Sequence, residues 1–223
     1  MSDPTGGWAA ATERSSEAVS DVVRAAQATG RFLSPALSQL VGMAEDQIAV
    51  WRARRRVRLT ESFRQLLRDR GLSGATREIS PAFMLPLIDR AIIEPDDDLQ
   101  DVWAMMLANA ADANCKAEMR TAFISMLAEM THLDVQNLAK LAEAVSQTGT
   151  TGIFRTSGLP KMVMGDGSDG RVTMPSEDVQ VSLANLGRLG CIHPVIGAGG
   201  WGSFSQVTVS PLGQAFAMAC RAP

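Results

Sequence analysis

The chain has 223 residues, enough for one large domain or two to three small ones, and long enough to build a core unaided. Apolar residues make up 46%, charged residues 20% and aromatics 5%, ordinary globular values that remove disorder as the default. The net charge of −3 argues against a whole-protein nucleic-acid binder, which is usually basic, although the distribution of charge still matters.

Residues 1–12 read as a frayed, Gly-rich end, and from Ser15 the pattern turns helical, with Val19, Val22, Val23 and Ala26 at helical spacing and Gly30 as the stop. Ser34 as N-cap and Pro35 at the first helical position start a second, long helix that runs to Gly71. Ile48, Leu59, Phe63, Leu66 and Leu67 share one broad face of it at 100° per residue. This helix also carries the densest basic run, Arg52, Arg54, Arg55, Arg56 and Arg58, followed by Arg64, Arg68 and Arg70.

Residues 72–80 read as a linker, and Ser80-Pro81 opens the next helix, with Pro86 either kinking it or marking its true start. Asp96, Asp97 and Asp98 sit where a further helix begins, since carboxylates there accept hydrogen bonds from free backbone N–H groups. Leu99, Val102, Trp103, Met106 and Leu107 supply its buried face. A fifth helix is expected over Met119–Met130 and a sixth from Leu133-Asp134 to Val145. With no Tyr and 12 Met, the core is expected to consist of Leu, Val, Ile, Ala and Met.

After Gln147 the composition shifts to Gly, Ser and Thr, with short β-type runs at 152–157, 160–164 and 170–174; the DGSDG stretch (166–170) reads as a hairpin turn between the last two. Ser176 caps a helix over about Glu177–Leu189, which Gly190 ends. Residues 191–197 and 204–210 read as two strands around a Gly-rich tip, AGGWGS, and a last helix covers Pro211–Cys220. That order is the order of a winged helix-turn-helix. The expected fold is mainly α: a helical bundle with a C-terminal winged-helix-like α+β module. Its parts are an N-terminal helical arm (1–79), a central bundle (80–147) and the module (148–223).

One run combines an apolar Leu-Pro-Leu helix, an acidic stretch, a Trp and an Asn at fixed offsets. It comprises Leu85, Pro86, Leu87, Ile88, Glu94, Asp97, Asp98, Leu99, Gln100, Asp101, Val102, Trp103, Ala104, Leu107, Ala108, Asn109 and Ala110. Near the end, Leu189, Gly190, Cys191 and Ile192 close a helix, and Ser210, Pro211, Leu212 and Gly213 turn into the last one. Together these resemble the bacterial Abi-alpha family, proteins associated with abortive infection against phage. Cys191 departs from the family's Leu-Gly-Leu-Ile, Ser210 is a mild variant, and the first 80 residues match only in helical character and basic content. The resemblance implies a role in phage defence and carries over no catalytic residue.

The acidic cluster Glu94, Asp96, Asp97, Asp98 and Asp101 lacks a cation-ligand register and reads as N-capping plus a solvated face that also suits docking of the arginine helix. The arginines spread all around their helix, a geometry for solvation, internal pairing, or contact with protein, nucleic acid or lipid. The helix at 177–189 is net acidic, with Arg188 as its single base and Gln180 and Asn185 as the side chains able to read base edges. The tip has no Lys or Arg, so a protein-contact wing is favoured over DNA readout, with Trp201 as its anchor. Asn109, polar in an apolar helix, is suited to bonding a neighbouring helix backbone.

His132 and His193 do not assemble a metal site or triad, and Cys115, Cys191 and Cys220 have no metal or redox spacing. GAGG and DGSDG read as turns. No enzyme, metal or cofactor is therefore expected. The N-terminus is no secretion signal and no segment suits a bilayer span, so the cytoplasm is the expected location. The leading function is a non-enzymatic component of an antiphage system acting through protein contacts, with homo-oligomerisation and nucleic-acid contact left open. The alternatives are a winged-helix nucleic-acid-binding regulator and a membrane-acting toxin. The sites singled out are Arg52, Arg54, Arg55, Arg56, Arg58 and Trp201 for partner contact, and the family-like Asp97, Asp98, Leu99, Trp103, Leu107 and Asn109.

Overall fold

A computed structural model describes residues 35–149, 152–165, 172–196 and 202–222. The expected helix from Ser15, the Ser34 cap, the DGSDG turn and the tip with Trp201 lie outside the described residues. The described part is mainly helical with a small four-stranded antiparallel sheet.

The long helix α1 spans Pro35–Asp69, 35 residues. At 1.5 Å per residue it is about 52 Å long, more than a small domain can cover. Its C-terminal half is therefore seated, with Leu59 and Leu67 buried, while Ile48 is 48% exposed although it lies on the same stripe. Periodicity marks the face; it does not mark where the body ends.

Helix α2 (Pro81–Ala91) starts at Pro81 and keeps Pro86 inside it. Proline there removes the hydrogen bond to the carbonyl of Ala82. Both residues are exposed, so water can take the place of the lost donor. Helix α3 (Asp97–Ala111) is capped by Asp96, whose carboxylate accepts from Leu99 N at 2.9 Å. Helix α4 covers Thr121–Ala128, and α5 covers His132–Thr148 behind a capping box in which Thr131 and Asp134 bond each other's backbone.

Strands β1 (Phe154–Arg155) and β2 (Met164–Gly165) pair with each other. This corrects the expected hairpin between 160–164 and 170–174: residues 172–174 are not a strand, and β2 turns back onto β1. Helix α6 (Glu177–Arg188) ends at Gly190, which takes φ +73°, a conformation that favours glycine. Ser176 occupies its N-cap position without a side-chain cap bond.

Strands β3 (Ile192–Ile196) and β4 (Gly202–Val209) form the second hairpin, and the sheet order is β2-β1-β4-β3. Along β4 the buried residues Ser205, Val207 and Val209 recur with the period of two that a one-sided sheet requires. Helix α7 (Pro211–Cys220) returns to the helices and packs on α3 and α5. One hydrophobic core runs from Leu59 to Ala219 and contains Trp103, Phe123, Phe154 and Phe216. The Phe123 and Phe216 rings meet edge to face, centroids 5.6 Å apart, and so join α4 to α7.

Candidate functional site

The family-like residues and the arginine run meet along the contact of α1 with α3. Arg55 is buried, donating one guanidinium nitrogen to the Asp97 carboxylate and another to the Asp96 carbonyl at 3.0 Å. Arg58 forks onto Asp101 at 2.8 and 3.0 Å, and Ser62 donates to the same carboxylate at 3.0 Å. The acidic start of α3 thus serves twice, complementing its own helix end and receiving α1. The Arg55 guanidinium bonded to Asp97, with Arg58 next to it, holds that carboxyl below the usual range. The Asp101 carboxylate bonded to Arg58 in turn holds the guanidinium above its ordinary value.

Gln100 lies underneath with no exposed surface. Its amide donates to the carbonyls of Arg55 at 3.1 Å and Ala91 at 2.9 Å, so one side chain ties α1, α2 and α3 together. Trp103 is buried and aims its indole nitrogen at Glu94 Oε2, 3.5 Å away.

Asn109 does the same at the other end of α3. It donates to the carbonyls of Ala219 and Arg221, both at 2.9 Å, and accepts from Arg70 at 2.7 Å. Arg70 continues to the buried Asp112 at 3.4 Å. Arg77, in the linker, donates to the carbonyls of Ala110 and Asn109 and so satisfies the free end of α3. Leu99 and Leu107 are core residues. Reading by residue type flags Asn109, counts Arg70 only in the basic run and passes over Arg77, because their partners lie more than 30 residues away.

The remaining arginines divide. Arg54 is exposed, while Arg52 and Arg56 are half-buried. Trp51, which sequence reading passed over, has the Arg55 guanidinium 6.0 Å from its ring centre. Asp98 is exposed and faces His132 Nδ1 at 3.5 Å. Asp96, Asp98 and His132 offer ligand atoms within 4.8 Å of one another, a donor set a divalent cation can use. Yet Asp96 is committed to capping Leu99, and the positive ends of α3 and α5 together with Arg55 oppose a second positive charge.

On α6 the side chains able to read bases turn inward. Asn185 donates to Glu129 O at 2.9 Å and to Asp134 at 3.0 Å; Arg188 bonds Asn185 and Glu129; Gln180 donates to Pro175 O. The helix leaves Glu177, Asp178, Val181, Ala184 and Arg188 exposed. A groove of about 260 Å³ between α5 and α7 is apolar, lined by Leu138, Ala142, Phe216 and Ala217, with Glu143 and Arg221 its charged residues. Burial pushes the Cys191 thiol up to about 12 and raises Cys220 as well, so neither is a nucleophile at neutral pH.

The C-terminal motif is equally structural. Ser210 caps α7 by accepting from Gly213 N at 2.9 Å, and its hydroxyl donates to Gly190 O. A Cβ at Gly213 would lie 2.1 Å from Cys191 O, so only glycine lets α7 approach the start of β3. The model of the family described as abortive infection alpha matches residues 54–220, a span that includes all of these positions. The chain belongs to the abortive infection alpha family. Membership suggests a part in abortive-infection defence. No curated protein and no solved structure matches the chain. Within the matched span, Gln100, Trp103, Asn109 and Gly213 act as joints and close contacts between elements. No helix among the described residues is long and apolar enough to cross a membrane.

Proposed function

We propose that this abortive infection alpha protein is a non-enzymatic component of phage defence that works by contacting other proteins from its C-terminal module. The observation that carries this reading is the outward face of α6. It presents Val181, 67% exposed, beside Glu177 and Asp178, while Asn185 and Gln180 are spent on internal bonds. An acidic, apolar face repels phosphate and suits a protein. The preceding residues Val172 and Met174 are also exposed and extend the apolar character along the chain.

The order α6, β3, β4 with β1 alongside β4 supports a winged helix used as a protein-contact module. We place the arm at 1–79, the bundle at 80–147 and the module at 148–223, in a cytoplasmic and self-associating protein. The test is phage protection together with affinity capture of the full chain before and after phage challenge. Val181→Asp is expected to abolish protection and to lose a specific co-purifying protein while melting as the unaltered chain does. Full protection by that variant, or a salt-sensitive shift of duplex DNA by the unaltered chain, overturns the reading.

A further inference from the structure

The projecting part of α1 has features that neither the core nor the α6 face uses. Residues 47–51 make more than one helical turn, and all five are exposed. No side of the helix is buried there among the described residues. Ile48, Val50, Trp51 and, a turn further on, Val57 are 48%, 52%, 37% and 56% exposed. Large apolar side chains scattered singly on a surface are normal, but Val50 and Val57, seven residues apart, share one face of the helix with Arg54 between them, opposite the stripe of Ile48 and Leu59. Between Gln47 and Thr60 the chain has five arginines and no carboxylate. Two of the five, Arg55 and Arg58, are bound to α3, whereas Arg54 is exposed with no carboxylate partner among the described residues.

From these features we infer that the segment 47–58 lies on an anionic lipid surface. Lipid headgroups match its uncompensated cations, and the acyl boundary accepts Val50, Val57 and Trp51, whose ring suits the interface. Arginine stems can lie along the apolar layer with their guanidinium groups among the phosphates. Nucleic acid would use the same charges but gives Val50 and Val57 nothing to bury against. A parallel second copy of the segment would bring Arg54 against further arginines, since Glu45, Asp46 and Glu61 of α1 lie outside it. Lying on a surface needs no bilayer-spanning helix, and the inference stands whether or not α6 binds a protein.

The full-length chain is mixed at low salt with vesicles of phosphatidylcholine alone, or with phosphatidylglycerol added, and sedimented. Binding to the anionic vesicles at least about tenfold above the neutral ones is expected. Val50→Asp/Val57→Asp should lose that binding with its melting curve unchanged, since both positions are exposed. Brominated lipid should quench tryptophan emission in the unaltered chain, and Trp51→Phe should remove the quenched part. A chain that stays in the supernatant with both vesicles overturns the inference. So does a Val50→Asp/Val57→Asp variant that binds vesicles as well as the unaltered chain, because charge alone would then suffice. Retention on duplex DNA without vesicle binding also overturns it, in favour of a nucleic-acid surface.

Discussion

The Asn109 amide donates a 2.9 Å hydrogen bond to the carbonyl of Ala219, 110 residues further along the chain. With the second bond to Arg221 O, it satisfies two carbonyls at the end of α7 that helix geometry leaves without partners. Asn109→Ala removes both donors and takes one acceptor from Arg70, which keeps Asp112. An unsatisfied buried group costs about 1–3 kcal/mol. We expect a loss of about 3 kcal/mol in urea denaturation. Asn109→Asp should be no better, because its second oxygen would face the two carbonyls. A variant that unfolds at the unaltered midpoint would remove Asn109 as a joint.

Gly213 meets the backbone of Cys191, not a side chain that can swing away. A Cβ there would sit 2.1 Å from the Cys191 carbonyl oxygen, so α7 would have to lift. Overpacking a close contact costs about 1–3 kcal/mol, occasionally more. Gly213→Ala should therefore destabilise by about 3 kcal/mol, measured by the same unfolding curve. Gly165→Ala is the control, since nothing lies within 4 Å of a Cβ there.

These two joints show what could be read from the sequence and what could not. Helix α7 falls where Ser210 and Pro211 place it, because a cap and a first-turn proline are local signals. The start of α3 at Asp97 behind the Asp96 cap is equally local. Local pattern points strand β2 to the wrong partner because two-residue strands are chosen by what pairs with them, and β1 lies against both β2 and β4. Asn109 stood out as a polar residue in an apolar helix, but Ala219 is too far along the chain for any pattern to connect them. Likewise, Asn185 and Arg188 on α6 have the chemistry of base readers. Only the packing of α6 on α5 shows that Asn185 is spent on Asp134.

The Asp97 carboxyl is exposed and its titration is shifted downward by Arg55 first and Arg58 second. A carboxylate with a depressed folded value stabilises fully above the unfolded value of about 3.9, and that contribution is lost as pH falls through the folded value. The acid limb of the stability curve should therefore be shallower in Asp97→Asn. Thermal melts from neutral pH down through the carboxylate range should show the two chains converging at low pH. Parallel curves over the whole range would mean that the Asp97 contact with α1 contributes no proton-linked stability.

Cys191 gives the opposite limb. Its thiol is buried at the start of β3, and desolvation, with a smaller contribution from Asp134, pushes it up to about 12. The unfolded thiol ionises at about 8.5 and the folded one does not, so the unfolded state binds fewer protons above that pH. Stability is complete below the unfolded value and falls as pH rises toward 12. Each pH unit inside that window costs up to about 1.4 kcal/mol for one such thiol. Cys191→Ala should flatten the loss between neutral and alkaline pH while lowering stability at neutral pH by leaving a small cavity. In the unaltered native chain, alkylation of Cys191 followed by mass spectrometry should proceed only at the rate of unfolding. Rapid labelling of the native chain at neutral pH would show that the β3 start opens to solvent and that Gly213 does not hold α7 against it.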